Sequence, residues 1–280
     1  AALAMGLTTT PASVDWVAAG KVTSVKDQGH CGACWTFGTV GAIEGAYAIA
    51  SGNLIELSSQ DVISCMSKGS SLNTREDGFA CGCSGGDPDG VFRWVKRNGI
   101  EAWAHRPYTN NTASCDGMYD LAEANCNCGE TGAPTCPVVT KCPDACDASV
   151  RKPVVTVEGY TQLPGGQENT TLLEAVARGP VTALVDCEAT LFKNYKSGII
   201  NGPCEGLHNH VVLIVGYGEE GGVPYWKVKN SFGQAWGEEG YVRIARNKDL
   251  CGIGGEPYVP TGAKVWAGSR RTGAHTVESA

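Results

Sequence analysis

The stretch His-Cys-Gly-Ala-Cys-Trp-Thr-Phe-Gly, residues 30–38, sets two cysteines three positions apart with Trp35 directly after the second. Three chemistries use such a pair. A metal clip needs four ligands in paired spacings, a redox dithiol needs a βαβ context around its C-x-x-C, and a nucleophile needs one thiolate beside a histidine. The spacing suits a redox pair, but the residues that follow do not supply its context. From Cys34 onward Val40, Ile43, Tyr47 and Ala50 recur at helical spacing, Gly38, Gly41 and Gly45 leave room for close packing, and Gly52-Asn53 ends the run. Cys34 therefore falls on the first turn of a helix, where unsatisfied backbone N–H groups and the positive end of the helix dipole favour a thiolate. The histidine such a thiol needs stands far downstream: His210 precedes an apolar run, 210–218, and Asn230 lies at the end of another, 224–231.

The elements that must position these groups can be read coarsely. Ser58–Cys65 reads as a second helix with Ser58 as N-cap and Asp61 at the capping-box position, and 89–99 as a third, stopped by Gly99. Beyond residue 150 the texture changes to short β-like runs, 181–186, 210–218, 224–231 and 240–246, interrupted by one helical stretch at 171–179. A helical front and a β-rich back predict an α+β chain with two subdomains and a cleft between them. After Val259 no periodic pattern holds the chain, so the end is expected to be mobile.

Composition restricts the function classes. In 280 residues, 42% hydrophobic and 18% charged, there is enough apolar material for a core. The net charge of −7 speaks against a nucleic-acid partner. No apolar run of membrane-spanning length and no signal-peptide pattern is present, so no membrane association is expected. Fourteen cysteines fit an oxidising setting, lysosomal, vacuolar or secreted. Two glycosylation triplets, at Asn110 and Asn169, agree with that route. Residues 115–146 hold six cysteines and no histidine, which favours a disulfide-stapled excursion over zinc; no metal site and no cofactor are expected.

Taken together, the segments around Cys34, His210 and Asn230 resemble the papain family of cysteine peptidases, of the cathepsin L and B type, from about Pro11 to Pro260. The resemblance implies a helical left subdomain and a β-barrel-like right subdomain. It divides the chain into a possible processing remnant, 1–10, a peptidase domain, 11–262, and a C-terminal tail, 263–280. Within the domain the helical part covers about 25–115, a cysteine-rich insertion about 116–152 and the β-rich part about 153–262. Cys34 to His210 spans 176 positions, against about 130–150 in that family, which is the reason for treating the stapled segment as inserted.

Carried over residue by residue, the resemblance makes Cys34 the nucleophile, His210 the general base and acid, Asn230 the residue that orients the imidazole, and Gln28 the side-chain donor to the oxyanion. Gly85 and Gly86 would face the substrate backbone. Pro88, Leu184, Val211 and Glu256 would line the pocket for the second residue before the scissile bond, and Trp236 would lie on the leaving-group side. His208 does not align with the motif and reads as a loop residue. Phe232 stands where the family usually has tryptophan. Disulfides are implied for Cys31–Cys83, Cys65–Cys115 and Cys204–Cys251. Cys81, Cys126, Cys128, Cys136, Cys142 and Cys146 remain unassigned, and Cys187 is the candidate free thiol. The implied activity is endopeptidase cleavage of protein or peptide substrates by a monomer, with a prosegment and cystatin-like proteins as inhibitors. An exopeptidase with a restricted cleft and a silent binding homologue are the alternatives.

Overall fold

The computed structural model describes residues 10–66, 72, 74, 77–78, 80, 82–83, 85–109, 146–166 and 170–268. In chain order the strands are β1 (Val14–Asp15), β2 (Ile100–Glu101), β3 (Pro153–Thr156), β4 (Gly159–Gln162), β5 (Val181–Val185), β6 (Ile199–Ile200), β7 (His210–Glu220), β8 (Val223–Lys229), β9 (Tyr241–Ala245), β10 (Tyr258–Thr261) and β11 (Lys264–Val265). The helices are α1 (Cys34–Ser51), α2 (Ser59–Met66), α3 (Pro88–Asn98), α4 (Thr170–Arg178) and α5 (Thr190–Lys193).

One sheet runs β4-β10-β5-β7-β8-β9-β6, with β1 also paired to β7, and a small sheet runs β11-β3-β2. The large sheet does not close on itself among the described residues, so the expected barrel-like half is an open sheet. Strand β7 is its axis. Its first nine residues are buried on both faces, and because side chains alternate along a strand it feeds two cores. Val211, Leu213 and Val215 join Trp35, Phe92 and Trp94 of the helical side, whereas Val212, Ile214 and Tyr217 join Phe192, Val228 and Ile244 of the β-rich side. That double duty explains why the run reads as continuously apolar rather than alternating.

The glycines of α1 set how closely the helix approaches β7. A β-carbon at Gly38 would come within 2.8 Å of Val211 Cγ1, and one at Gly41 within 2.8 Å of Leu213. Larger residues would push the helix, and Cys34 at its start, away from the strand that begins with His210. The helix ends at Gly52, whose left-handed conformation (φ +80°) returns a backbone hydrogen bond to Ala48.

Four sequence expectations need correction. Asp61 does not complete a capping box. Ser58 Oγ does accept the Asp61 N–H at 2.9 Å, but the Asp61 carboxylate is fully buried and takes a bidentate pair from Arg151 at 2.8 and 2.7 Å. Second, Cys65 is bonded to Cys146, not to Cys115. Both Cys65 and Asp61 lie on α2, so the chain leaving Cys146 is fixed to one helix by a disulfide and, five residues on, by Arg151, which also donates to the Asn98 and Gly99 carbonyls and lies over Trp94. Third, the last residues of the expected insertion, 146–152, are docked on the framework at Cys146 and Arg151. Fourth, the chain after Val259 is held: β10 pairs with β4, β11 pairs with β3, and the Trp266 N–H donates to Val154 O. Residues 1–9, 110–145 and 269–280, with Cys115, Cys126, Cys128, Cys136, Cys142 and both triplet asparagines, lie outside the described residues, as does Cys81.

Candidate active site

Cys34 opens α1 at the seam between the two cores. No side chain caps the helix start, which leaves its first N–H groups available to an anion. Burial raises the pKa of the Cys34 thiol, and the backbone of Val211, of Trp35 and of Cys34 itself pulls the other way without overcoming it. Val211, whose backbone is near enough to act on the thiol, is the residue that follows His210.

His210 is 3% exposed. Its Nε2 meets Asn230 Oδ1 at 2.8 Å, and that oxygen also accepts the Ser231 N–H at 2.8 Å. Burial lowers the imidazole pKa from 6.5 to about 4, with the Asn230 bond opposing. Because Asn230 Oδ1 accepts from the Ser231 N–H, the carboxamide is oriented oxygen-first toward the ring, so Nε2 carries the proton and Nδ1 is left as the basic nitrogen. Taken singly, each partner is driven toward its neutral form by lost hydration. A thiolate and an imidazolium brought side by side would offset that loss by mutual attraction.

Aromatic rings close the site from behind. Phe232 lies 4.6 Å from the His210 ring, Phe192 at 6.3 Å, and Trp236 packs against both at 5.7 and 5.3 Å. Phe232 thus covers His210, and Trp236 belongs to this cluster together with Tyr195.

Gln28 is tied into the same assembly by a residue that sequence reasoning passed over. The Ser231 hydroxyl donates to Gln28 Oε1 at 2.5 Å, the Gln28 N–H donates to Ser231 O at 2.9 Å, and Gln28 Nε2 donates to Cys31 O at 2.9 Å. Ser231 therefore fixes Gln28 with its side chain and Asn230 with its N–H. The signal that could have found it is its place directly after Asn230 on a buried stretch. Below it, Lys229 Nζ donates to Thr23 O at 2.9 Å and faces Glu44, whose carboxylate accepts from the Thr23 hydroxyl at 2.7 Å and the Leu57 N–H at 2.7 Å. Burial pulls the Lys229 pKa to about 8 and pushes that of Glu44 up.

On the other rim, Gly32 N–H donates to Cys83 O at 2.8 Å beside the Cys31–Cys83 disulfide, and the Trp35 indole donates to Gly82 O at 3.0 Å. Gly86 presses on the Trp35 ring, where a β-carbon would come within 2.6 Å, and Gly85 has φ +105°. Pro88 begins α3, and Leu184 of β5 lies opposite Val211 of β7. Glu256 lies two residues before β10, whose first residue, Tyr258, pairs with Thr182 of β5. Cys204 and Cys251 form the third disulfide, and among the described cysteines Cys34 and Cys187 are free. Also among the described residues, no cluster of three or more histidines, cysteines and carboxylates could hold a metal, and no helix is long and apolar enough to cross a membrane.

This geometry can be set beside known proteins. The papain family cysteine protease profile matches residues 10–261. The chain belongs to the papain family. A probable cysteine protease of Arabidopsis thaliana, RDL4, is 39% identical over 248 residues, covering 87% of this chain and 57% of that protein. Vignain of Ricinus communis is 37% identical over 258 residues, covering 90% of the chain and 60% of its own length. The chain thus spans well under two thirds of these curated relatives. Among solved structures, the bromelain protease of Ananas comosus in complex with the E64 inhibitor superposes with TM-score 0.71 at 32% identity, over 90% of this chain and 99% of that one. The proform of the ragweed pollen allergen Amb a 11 superposes with TM-score 0.72 at 31% identity, over 92% of this chain and 68% of that one.

Proposed function

We propose that the protein is an endopeptidase that cleaves protein or peptide chains through an acyl-enzyme on Cys34. The observation that carries the reading is the joint placement of two groups: the Cys34 thiol at the start of α1 near the Val211 backbone, and the preceding residue His210 pinned by Asn230.

In this mechanism His210 Nδ1 takes the thiol proton and the sulfur attacks the scissile carbonyl. The negative charge forming on the carbonyl oxygen is met by the Cys34 N–H and the Gln28 carboxamide, positioned in advance by Ser231 and Cys31. His210 then returns the proton to the leaving amine, which departs and leaves a thioester on Cys34. Water, deprotonated by the same imidazole, hydrolyses the thioester and restores the thiol. Gly85 and Gly86 present backbone to the substrate. Pro88, Leu184, Val211 and Glu256 line the pocket for the second residue before the scissile bond, with Trp236 on the leaving-group side. Apolar walls with a carboxylate at the end favour Phe, Leu or Arg there.

An exopeptidase of the related type needs a histidine pair on a loop to hold the substrate carboxylate, and residues 112–150 contain no histidine. Three disulfides among the described residues support folding in an oxidising compartment, vacuolar, lysosomal or outside the cell. A prosegment is the expected intramolecular inhibitor, in line with the Amb a 11 proform.

The test uses the two thiols that are free among the described residues, Cys34 and Cys187. An epoxide thiol inhibitor is expected to label one equivalent per chain, on Cys34 and not on Cys187, and to abolish peptide hydrolysis in proportion. Cys34→Ser should leave the fold intact and turnover below a tenth of wild type. Activity at or above that level, or labelling on Cys187 with hydrolysis lost, would refute the assignment.

A further inference from the structure

His208, expected to be an uninvolved loop residue, makes a specific contact. Its Nδ1 lies 3.3 Å from Glu256 Oε1, while Glu256 Oε2 accepts the Tyr258 hydroxyl at 3.2 Å. The carboxylate is thus gripped from both sides. It is an acceptor only, so Nδ1 of His208 carries a proton in this arrangement.

The seat of the imidazole is built for it. A β-carbon at Gly252 or at Gly255 would run into the His208 ring. Gly252 has φ +73°, a second reason for glycine at that position. The loop carrying His208 and the loop carrying Glu256 are stapled by Cys204–Cys251 and joined by the Cys251 N–H to Cys204 O bond. Asp186 N–H donates to Cys251 O at 2.9 Å, which ties both loops to the end of β5. The His208 side chain is 26% exposed and that of Glu256 45%, so a ligand entering from solvent can reach both.

The surroundings are acidic. Burial, and then the negative charges of Glu256, Asp89 and Asp87, raise the Tyr258 pKa and keep its hydroxyl a donor to Glu256. Asp89 is paired with Arg93, which lies against Tyr160. Tyr258 pairs with Thr182 of β5, the strand on which Leu184 faces Val211, which puts the gripped carboxylate on the side of the apolar wall assigned above to the substrate pocket.

We propose that His208 determines substrate specificity by acting through Glu256. The imidazole and a basic substrate side chain compete for one carboxylate, and the substrate class at the second residue before the scissile bond, apolar or basic, follows from how strongly His208 holds it. With Glu256 engaged, the pocket presents apolar walls and an end whose carboxylate is already taken up, suited to Leu or Phe. With Glu256 released, it presents a carboxylate and a tyrosyl hydroxyl, suited to a guanidinium. This inference rests on the peptidase reading and on its pocket assignment.

The experiment compares kcat/KM for matched Leu-Arg and Arg-Arg dipeptide substrates at pH 5, with active enzyme counted by the epoxide inhibitor. Variants are His208→Leu, His208→Lys, Glu256→Gln and each position-208 change combined with Glu256→Gln. His208→Leu should raise the Arg:Leu ratio at least threefold, and His208→Lys, a fixed cation, should lower it at least threefold. Glu256→Gln should lower the ratio and erase the effect of either change at 208. A structural role alone would not move the ratio in opposite directions. If both position-208 variants leave the ratio within twofold, or act equally with Gln at 256, His208 does not work through Glu256 and the inference fails while the pocket assignment stands. If Glu256→Gln leaves the ratio unchanged, the pocket assignment fails too. Absence of cleavage of either substrate by wild-type protein with a reactive Cys34 overturns the peptidase reading itself.

Discussion

Replacing Cys34 by Ala isolates the cost of burying His210. Without the thiol, the imidazole's polar contact among the described residues is the 2.8 Å bond to the uncharged Asn230, which supplies no counter-charge. Burial then holds the folded-state pKa at about 4 against 6.5 for the free side chain. The direction of the pH effect follows from proton uptake. Between pH 6.5 and 4 the unfolded chain binds a proton at position 210 that the folded chain does not, so stability falls as the pH falls, and the loss is complete near pH 4. Its size, from the separation of the two values, is about 3 kcal/mol. Urea unfolding of Cys34→Ala and of Cys34→Ala/His210→Gln at pH 7.0, 5.5 and 4.0 measures it, since other acid-sensitive groups are common to both. The single variant should lose about 3 kcal/mol more than the double variant over this range, and its imidazole resonances should titrate near pH 4. Equal acid sensitivity of the two, or a ring that titrates near 6.5, would refute the account of the site's electrostatics.

Three further outcomes test the supporting network. Asn230→Ala should reduce kcat less than His210→Ala on the same substrate, because it removes orientation and not the base; equal losses at equal stability would contradict its role. Ser231→Ala should lower kcat about tenfold with little change in KM, a part of the roughly 2.7–4 kcal/mol that loss of an oxyanion donor costs. In a Gln28→Ala background the effect of Ser231→Ala on kcat should vanish, and a full additional loss would show that Ser231 acts elsewhere. Arg151→Met removes the bidentate partner of the fully buried Asp61, leaving it the Glu101 N–H at 3.0 Å and Arg106 at 3.9 Å, and should cost about 1–3 kcal/mol in urea unfolding, with kcat per titrated active site unchanged.

The parts that were legible in the sequence share a local pattern. The helix from Cys34 announces itself through Val40, Ile43 and Tyr47, its close approach to β7 through Gly38 and Gly41, and the His210 strand through a continuous apolar run that two cores later account for. What stayed hidden depends on where distant segments meet. The partner of Cys65 is decided by the path on which the chain returns at Cys146, and the docking of that return by a lone Arg151 whose carboxylate lies 90 residues earlier. Strand β11 has two residues, too few for alternation, and is held by its pairing with β3. His208 and Ser231 carry no periodic signal, and their importance comes from the partners Glu256 and Gln28 that the fold brings to them.

The central claim is that peptide-bond cleavage proceeds through a covalent acyl group on Cys34. Rapid acid quench of the protein with an activated ester of a short peptide, followed by intact-mass measurement and peptide mapping, observes that species directly. The account predicts one acyl adduct per chain, mapped to Cys34, formed faster than it decays and absent from His210→Ala. An adduct on Cys187, or steady turnover with Cys34 never acylated, would contradict it.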